Sequence, residues 1–378
     1  MLANRPPMGW NSWNTFGPEI DEQVIRETID AMADGPFRQA GYEYVVIDDC
    51  WARWDRNERG LMECDPKKFP SGIKALADYA HAKGLKFGIY SCAGVRTCAG
   101  YPGSFDHEYE DARLFASWGV DFLKYDFCNF PAHASNPQRY LTMSMALRAS
   151  GREILFSACN WGRGEPWRWM RSVGAHMYRS DTDIRDSFRS TADIMRNQLE
   201  HLGGNAPGCF NDLDMLTVGI DGRGQGYMNV GEPNSRDEYE TQFAFWCLTG
   251  APLMLGCDVR SVSPETAALL THRGLLAISQ DELCLPPYIV QGRQVNEGSK
   301  NDCFILMKLL ADGEFALGFF NLNPTERQME CIFADCGIPS DHRVTLTDVM
   351  TGESLGDFAD DIILAVRPHH CRILRGRT

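Results

Sequence analysis

Through the first three quarters of the chain, short apolar runs alternate with amphipathic stretches. In YEYVVIDDCW (42–51) the run from Tyr44 to Ile47 reads as a buried strand that closes on Asp48 and Asp49. The same pattern recurs in LKFGIY (85–90), VDFLKYD (120–126) and EILFSAC (153–159), and in weaker form in AHMYRSD (175–181), CFNDLDML (209–216) and PLMLG (252–256). MGWNSWNTF (8–16) opens the series. Between the strands the apolar period becomes helical: Ile25, Ile29 and Met32 share a face over about 21–32. Further helices are predicted near 73–83, 107–118, 136–148, 165–172, 186–201, 237–249 and 264–278. Strict strand–helix alternation implies parallel strands with right-handed crossovers, and eight units predict an α/β fold of the closed (β/α)8 TIM-barrel type, about 250 residues long. An open doubly wound sheet is the competitor, but it usually needs fewer units, and no phosphate-binding glycine turn follows the first strand.

Past Pro286 and Pro287 the texture changes. CFILMKLL (303–310), FALGFFN (315–321), MECIF (329–333), RVTLTDV (343–349), DIILAV (361–366) and CRIL (371–374) are short strands separated by turn residues, with no helices between them. That spacing predicts an antiparallel β-sandwich. The boundary falls within 285–300, giving a barrel over 1–288 and a C-terminal sandwich over 289–378.

Composition narrows the partners. Of 378 residues, Asp and Glu outnumber Lys and Arg to a net charge of −14, which argues against nucleic acid or an anionic membrane surface. No run of about 18 apolar residues suggests a membrane span. MLANRPPMGWNSW has no apolar core of a secretory signal. The fourteen cysteines are scattered, without a CxxC pair, and no N-x-S/T acceptor is present. The expectation is a cytoplasmic protein with reduced thiols, the alternative being a secreted or periplasmic one whose signal has been removed.

The chemistry gathers at the strand ends, where a barrel builds its active site. In DFLKYDFCNF (121–130), Lys124 and Asp126 stand two residues apart on one strand and so point the same way. Charges facing an interior are costly unless paired or used, so they are either a structural ion pair or chemistry. Other strand ends supply Trp10 and Trp13, Asp48, Asp49 and Trp51, Tyr90, Asn160 and Trp161, Arg179, Asp181 and Asp183, and Asp212 and Asp214. Taken singly, the tryptophans suit a core and the Asp48-Asp49 pair a loop cap. Taken together, carboxylates among indole and phenol rings suit a sugar, whose apolar face stacks while its hydroxyls donate to carboxylates. Clustered Asp also suits hard cations, but the lack of HxH or HExxH argues against a catalytic zinc, and no metal or other cofactor is expected. GRGQG (222–226) follows no good strand and reads as a flexible loop.

MGWNSW, VIDDCW, FGIYSCAG, LKYD, the Arg-x-x-x-Asp from Arg179 to Asp183, and NDLDML, in this order, resemble glycoside hydrolase family 27, the α-galactosidases and α-N-acetylgalactosaminidases. The resemblance spans roughly 5–285 and continues loosely into the sandwich. It implies an exo-acting retaining α-galactosidase acting on terminal α-galactosides by double displacement, with α-N-acetylgalactosaminidase and β-L-arabinopyranosidase as alternatives within the family. A non-catalytic carbohydrate-binding barrel and a metal-dependent hydrolase are the readings from other classes. Asp126 matches the nucleophile, kept ionised by Lys124, and Asp183 the acid/base, whose proton the negative field of Asp126 would help hold. For retention the two carboxyls should lie about 5–5.5 Å apart. Asp48 and Asp49 match the pair that reads the 4- and 6-hydroxyls, which requires the chain to turn after Ile47. Trp13 matches a ring packed on the sugar, and Tyr90 and Lys124 match polar contacts. Arg179 matches a contact to the 2-position, and Asp214 and Met215 a carboxylate and an apolar wall. Cys98 and Cys128 match a disulfide beside the nucleophile. Where many relatives carry Cys-Glu-Trp, this chain has Cys159-Asn160-Trp161, so the 2-substituent falls to an amide at Asn160. A homo-oligomer is left open.

Overall fold

The structure is a computed structural model that describes residues 2–229, 231–291 and 302–378. Eight parallel strands, β1 (Met8–Asn11), β2 (Tyr44–Val46), β3 (Lys86–Cys92), β4 (Phe122–Asp126), β5 (Leu155–Cys159), β6 (Met177–Arg179), β7 (Phe210–Asp212) and β8 (Leu253–Leu255), form one sheet in the order 7-6-5-4-3-2-1-8. The ends of that order meet. Leu216, just past β7, bridges Leu255 in parallel, donates its N–H to the Met254 carbonyl (2.8 Å) and accepts from Gly256 (3.0 Å), so the sheet closes into a barrel.

The two-residue period sorts side chains cleanly. Tyr44, Val46, Phe122, Leu155, Met177 and Met254 point inward and form the lower interior of the barrel. Their neighbours Val45, Leu123, Tyr125, Phe156, Ala158 and Tyr178 point outward into the helix layer. Gly88 of β3 keeps the interior open, since a Cβ there would come within 2.6 Å of Val46 and 3.0 Å of Phe122. Continuing the inward column of β4 upward places Lys124 and then Asp126 above Phe122. The register sets Lys124 level with Tyr90 and Asp126 level with Cys92.

Two predicted helices change form. The stretch 165–172 makes only a 3-10 turn at Pro166–Arg168, because Glu165 before it sits in the left-handed region (φ 55°). The stretch 264–278 divides into Pro264–Leu270 and Arg273–Ser279, the second capped by the His272 ring accepting from the Leu275 N–H.

The C-terminal region has eight strands among the described residues: β9 (Tyr288–Gln291), β10 (Cys303–Leu309), β11 (Glu314–Asn321), β12 (Arg327–Ile332), β13 (Val344–Asp348), β14 (Ser354–Phe358), β15 (Asp361–Val366) and β16 (His370–Arg377). Six form an antiparallel sheet in the order 14-13-16-11-10-9, and β12 pairs with β15. Strands β9 and β14 are absent from the sequence-based reading. Both lie at the sheet's edges, where the apolar alternation that marks a strand weakens. Residues 292–301, which take in the later part of the stretch where the sequence places the domain boundary, lie outside the described residues. The central strands of the six-stranded sheet are covered on both faces. Ile305, Met307, Leu317 and Phe319 pack against Met329, Cys331, Ile362 and Val366 of the small sheet. Phe304, Leu306 and Phe320 join the barrel's core, where Phe245 meets Phe304 and Phe320 edge-on. Phe245 belongs to the helix Arg236–Thr249, which starts with a Ser235/Glu238 capping box and is buried along most of its length between barrel and sandwich.

Candidate active site

At the C-terminal mouth of the barrel, a cavity of about 210 Å³ is lined by Asp126, Asp183, Lys124, Arg179, Asp48 and Asp49. Trp13, Tyr90, Cys98, Asp214, Met215 and Tyr227 complete its wall. Eleven of these twelve side chains are ones that the sequence singles out. They come from segments more than 200 residues apart.

Asp126 closes β4 and is held from two sides: the Phe127 N–H donates to Oδ1 (2.8 Å) and the Tyr90 hydroxyl to Oδ2 (3.0 Å). Burial pushes its pKa up to about 6, with Lys124 pulling it down and Asp183 pushing it further up. Burial and the Asp126 charge together raise Tyr90 well above the ordinary phenol range, so its hydroxyl stays a donor. The Cys98 sulfur lies 3.9 Å from Asp126 Oδ2, and Cys98 is joined to Cys128 with Cα atoms 5.0 Å apart. The strand β3 loop approaches this bridge closely: a Cβ on Gly94 would fall 1.9 Å from the Cys128 carbonyl oxygen. Cys98, Asp126 and Cys128 are the one His/Cys/Asp/Glu group among the described residues compact enough to ring a metal ion. Its two sulfurs are bonded to each other, which leaves a single carboxylate and fits a hard cation poorly.

Lys124 does not pair with Asp126. Its ammonium donates to Asp48 Oδ2 (2.8 Å), which also accepts from Asn11 Nδ2 (2.8 Å), and it stands 5.4 Å over the Tyr90 ring. Burial opposes the charge on Lys124, but Asp48 more than offsets it and the pKa lies well above the usual value. The ion pair that the sequence leaves open is thus real but runs from β4 to the end of β2, and Lys124 acts on Asp126 only through space. Asp48 and its neighbour both reach the cavity because the chain turns. The Asp49 N–H donates to Asp48 Oδ1 (2.9 Å), and Cys50 adopts φ 71°. Asp49 accepts from Cys50 N–H (2.7 Å) and Ala99 N–H (3.0 Å), and burial still raises its pKa.

The opposite wall is organised by Arg179 at the end of β6. Its Nη2 reaches Asp183 Oδ1 (3.0 Å), Asp214 Oδ2 (3.0 Å) and the Asp181 carbonyl (3.1 Å). Asp214 stands in the left-handed region (φ 81°), fixed by its own N–H to Asp212 Oδ1 (2.9 Å) and by Ile184 N–H and Met215 N–H donating to its carboxylate (2.8 and 2.7 Å). Burial raises the pKa of Asp214, and that of Asp212 to about 6. Asp183 differs from all of these. Its side chain is 55 % exposed, and its Oδ2 has no hydrogen-bond partner among the described residues.

Asn160 does not line the cavity: its Nδ2 donates to the Arg163 carbonyl (2.7 Å), and its Oδ1 is buried without a partner among the described residues. Trp10 and Trp51 are core residues, their indoles donating to the Cys257 and Tyr90 carbonyls (2.7 and 2.9 Å). Asp212 serves the turn that holds Asp214, and Asp181 accepts from Thr182 N–H and Asn197 Nδ2 outside the cavity. Tyr227 is the cavity residue that sequence reasoning misses. It follows GRGQG, which is docked rather than free. Gln225 donates its side-chain amide to the Trp13 carbonyl (2.7 Å) and its N–H to Asn14 (3.0 Å), and the Tyr227 hydroxyl reaches Asn14 Oδ1 (3.2 Å). No strand or apolar period marks this loop, so only its contact with the Trp13 segment reveals it.

Known proteins share both parts of the chain. Residues 5–281 match the family described as Alpha galactosidase A, and residues 300–375 match the Alpha galactosidase C-terminal beta sandwich domain. The α-galactosidase of Coffea arabica is 40% identical over 378 residues, covering 99% of this chain and 95% of its own. That of Cyamopsis tetragonoloba is 39% identical over 373 residues, covering 98% and 86%. Among solved structures, α-galactosidase I from Mortierella vinacea superposes with a TM-score of 0.90 at 31% identity, covering 99% of this chain and 97% of that one. A β-L-arabinopyranosidase from Geobacillus stearothermophilus, 22% identical with a TM-score of 0.85 and coverages of 100% and 98%, shares the fold. The chain, a (β/α)8 barrel with a C-terminal antiparallel sandwich, belongs to the alpha galactosidase A family of glycoside hydrolases, family 27.

Proposed function

We propose that the protein is an exo-acting retaining α-galactosidase that removes terminal α-galactosyl units from oligosaccharides or glycoconjugates. The observation that carries this is one cavity holding two carboxyls in opposite circumstances, Asp126 buried and clamped, Asp183 exposed with one oxygen unengaged. A volume of about 210 Å³ equals the share of about seven waters, the scale of one pyranose rather than two.

In the first step an Asp126 carboxylate oxygen attacks the anomeric carbon while Asp183 passes its proton to the departing oxygen, leaving a glycosyl ester on Asp126. In the second step Asp183 takes a proton from water, the water oxygen attacks the same carbon, and Asp126 departs as carboxylate. Tyr90 and the Phe127 N–H keep that carboxylate aimed throughout. Asp48, Asp49 and Lys124 read the 4- and 6-hydroxyls, Trp13 and Met215 pack on the ring, and Arg179 and Asp214 hold the wall on which Asp183 stands. Catalysis is the work of the barrel, residues 1–288, with the sandwich, 289–378, bracing the helix Arg236–Thr249. Twelve free cysteines support a reducing, cytoplasmic setting, in which Cys98–Cys128 is the pair whose state depends on the compartment.

Asp126→Asn tests the assignment. Hydrolysis of p-nitrophenyl α-D-galactopyranoside falls by at least on the order of 10⁴-fold in kcat/KM. The folded state raises the Asp126 pKa, so ionising this carboxyl costs stability as pH rises through about 6. The Asn variant is therefore more stable than the parent at pH 7, and the two converge below pH 4. Full activity of this variant sinks the assignment. Matched aryl N-acetyl-α-galactosaminide and β-L-arabinopyranoside, turned over no faster than the galactoside's background, complete the test of the sugar.

A further inference from the structure

The loop that carries Asp183 is fastened on two sides, and only one of them belongs to the cavity wall. On that side Arg179 holds Asp183, and the Asp214 carboxylate takes the Ile184 N–H. On the other stands Asp186, three residues after Asp183, 1 % exposed and outside the cavity lining. Its Oδ1 accepts from the Tyr239 hydroxyl (2.8 Å), Asn234 Nδ2 (3.1 Å) and the Asn234 N–H (3.4 Å), and its Oδ2 from the Gly222 N–H (2.9 Å). Its own N–H donates to the Met228 carbonyl (3.2 Å). All these partners lie between β7 and the first turn of the helix Arg236–Thr249. The same segment carries Tyr227, which lines the cavity with Asp183 and, outside it, a groove of about 960 Å³.

Resting on the activity proposed above, we infer that Asp186 is a positioning residue for the acid/base: it locks the Asp183 loop to the segment that brings Tyr227 to the cavity, and so fixes where Asp183 presents its proton. Asp183 needs such a fix. With a side chain 55 % exposed, its direction is set by the backbone that carries it more than by packing around it. Proton transfer works only across hydrogen-bond distance, so a displacement of about 1 Å in this loop is enough to impair it. Asp126, Tyr90 and Lys124 are anchored on β3 and β4, through bonds to one another's strands and to Asp48, and stay in place when the loop shifts. The residue type matters as well. Two carboxylate oxygens take all four donors, whereas an amide keeps one oxygen, and in either orientation its NH2 group meets an N–H, from Gly222 or from Asn234. Asp186→Asn therefore keeps the size of the side chain and loosens the attachment.

Two leaving groups on the same sugar separate positioning from mere support. On methyl α-D-galactopyranoside, whose departing alkoxide needs the proton, Asp186→Asn lowers kcat/KM by about tenfold or more; on p-nitrophenyl α-D-galactopyranoside, whose phenolate leaves readily, the loss is about threefold at most. Tyr239→Phe removes the hydroxyl that donates to Asp186 Oδ1 and accepts from the Asp221 N–H. It gives the same split at smaller size, and it decides the matter if the Asn variant does not fold. Equal losses on both substrates would make Asp186 a support of the fold alone, and no loss on the methyl glycoside would leave Asp183 held from the Arg179 side alone; either overturns the inference. Asp183→Asn serves as the reference. A leaving-group split in that variant but not in Asp186→Asn overturns the positioning role and leaves the activity standing, whereas its absence from Asp183→Asn overturns the acid/base assignment, and the positioning role with it.

Discussion

Asp126 and Asp183 share a cavity but are built in opposite ways. Asp126 ends a barrel strand, is 6 % exposed, and has both oxygens engaged by donors from its own and a neighbouring element. Asp183 lies in a loop four residues after the arginine that holds it, with a side chain 55 % exposed. The difference matches the work assigned to each. A nucleophile that forms a bond to carbon must be aimed to a fraction of an ångström, and a strand end over-determined by hydrogen bonds provides that. An acid/base must meet first a leaving group and then water, so it needs an open side.

Substitutions can break this contrast. Asp183→Asn lowers kcat/KM by about 10²–10⁴-fold for a substrate with a poor leaving group, and by less for an aryl galactoside with a good one, since only the former needs the proton. A loss as deep as that of Asp126→Asn on every substrate would mean the two carboxyls do not divide the labour. Lys124→Gln leaves buried Asp48 with only the neutral donors of Asn11 and the Asp49 N–H and destabilises the fold by about 3–5 kcal/mol, readable by denaturant unfolding. It also removes the positive charge that lowers the Asp126 pKa, so the acid limb of the pH–kcat/KM profile, near pH 6 in the parent, moves to higher pH. An unmoved limb would assign it to a group that the Lys124 charge does not reach, which excludes Asp212, since Lys124 lowers that carboxyl too. Tyr90→Phe is the mildest change. It removes one charge-assisted hydrogen bond from Asp126 Oδ2, worth ~1.5–3 kcal/mol, and lowers kcat/KM by about ten- to a hundredfold with little change in KM.

Legibility followed burial. Strands β2 to β5 can be read directly because parallel barrel strands, covered on both faces, appear as continuous apolar runs. The edge strands β9 and β14, covered less, leave no such trace. Strand-end residues were legible for a related reason: a polar side chain that ends an apolar run is carried to the barrel mouth, although Asn160, Asp181 and Asp212 there hold loops and turns instead of lining the cavity. The partner of Lys124 was not, because Asp48 and Asp126 are both strand-end carboxylates and only the curl of the sheet decides which one lies within 2.8 Å. Tyr227 was not, because its loop is placed by contacts with a segment more than 200 residues earlier.

By itself, the order of residues determined the eight-unit alternation, the set of acids and aromatics at the barrel mouth, and the family resemblance they carry. Those are local matters of period and position along one strand at a time. The tertiary structure alone decided that Lys124 pairs with Asp48 and not with Asp126, that Asn160 turns to Arg163, and that Asp183 opens onto a long groove while Asp126 is buried and clamped. Each of these depends on distances between strands whose separation in sequence says nothing about their separation in space, and electrostatic and hydrogen-bond energies are functions of the latter.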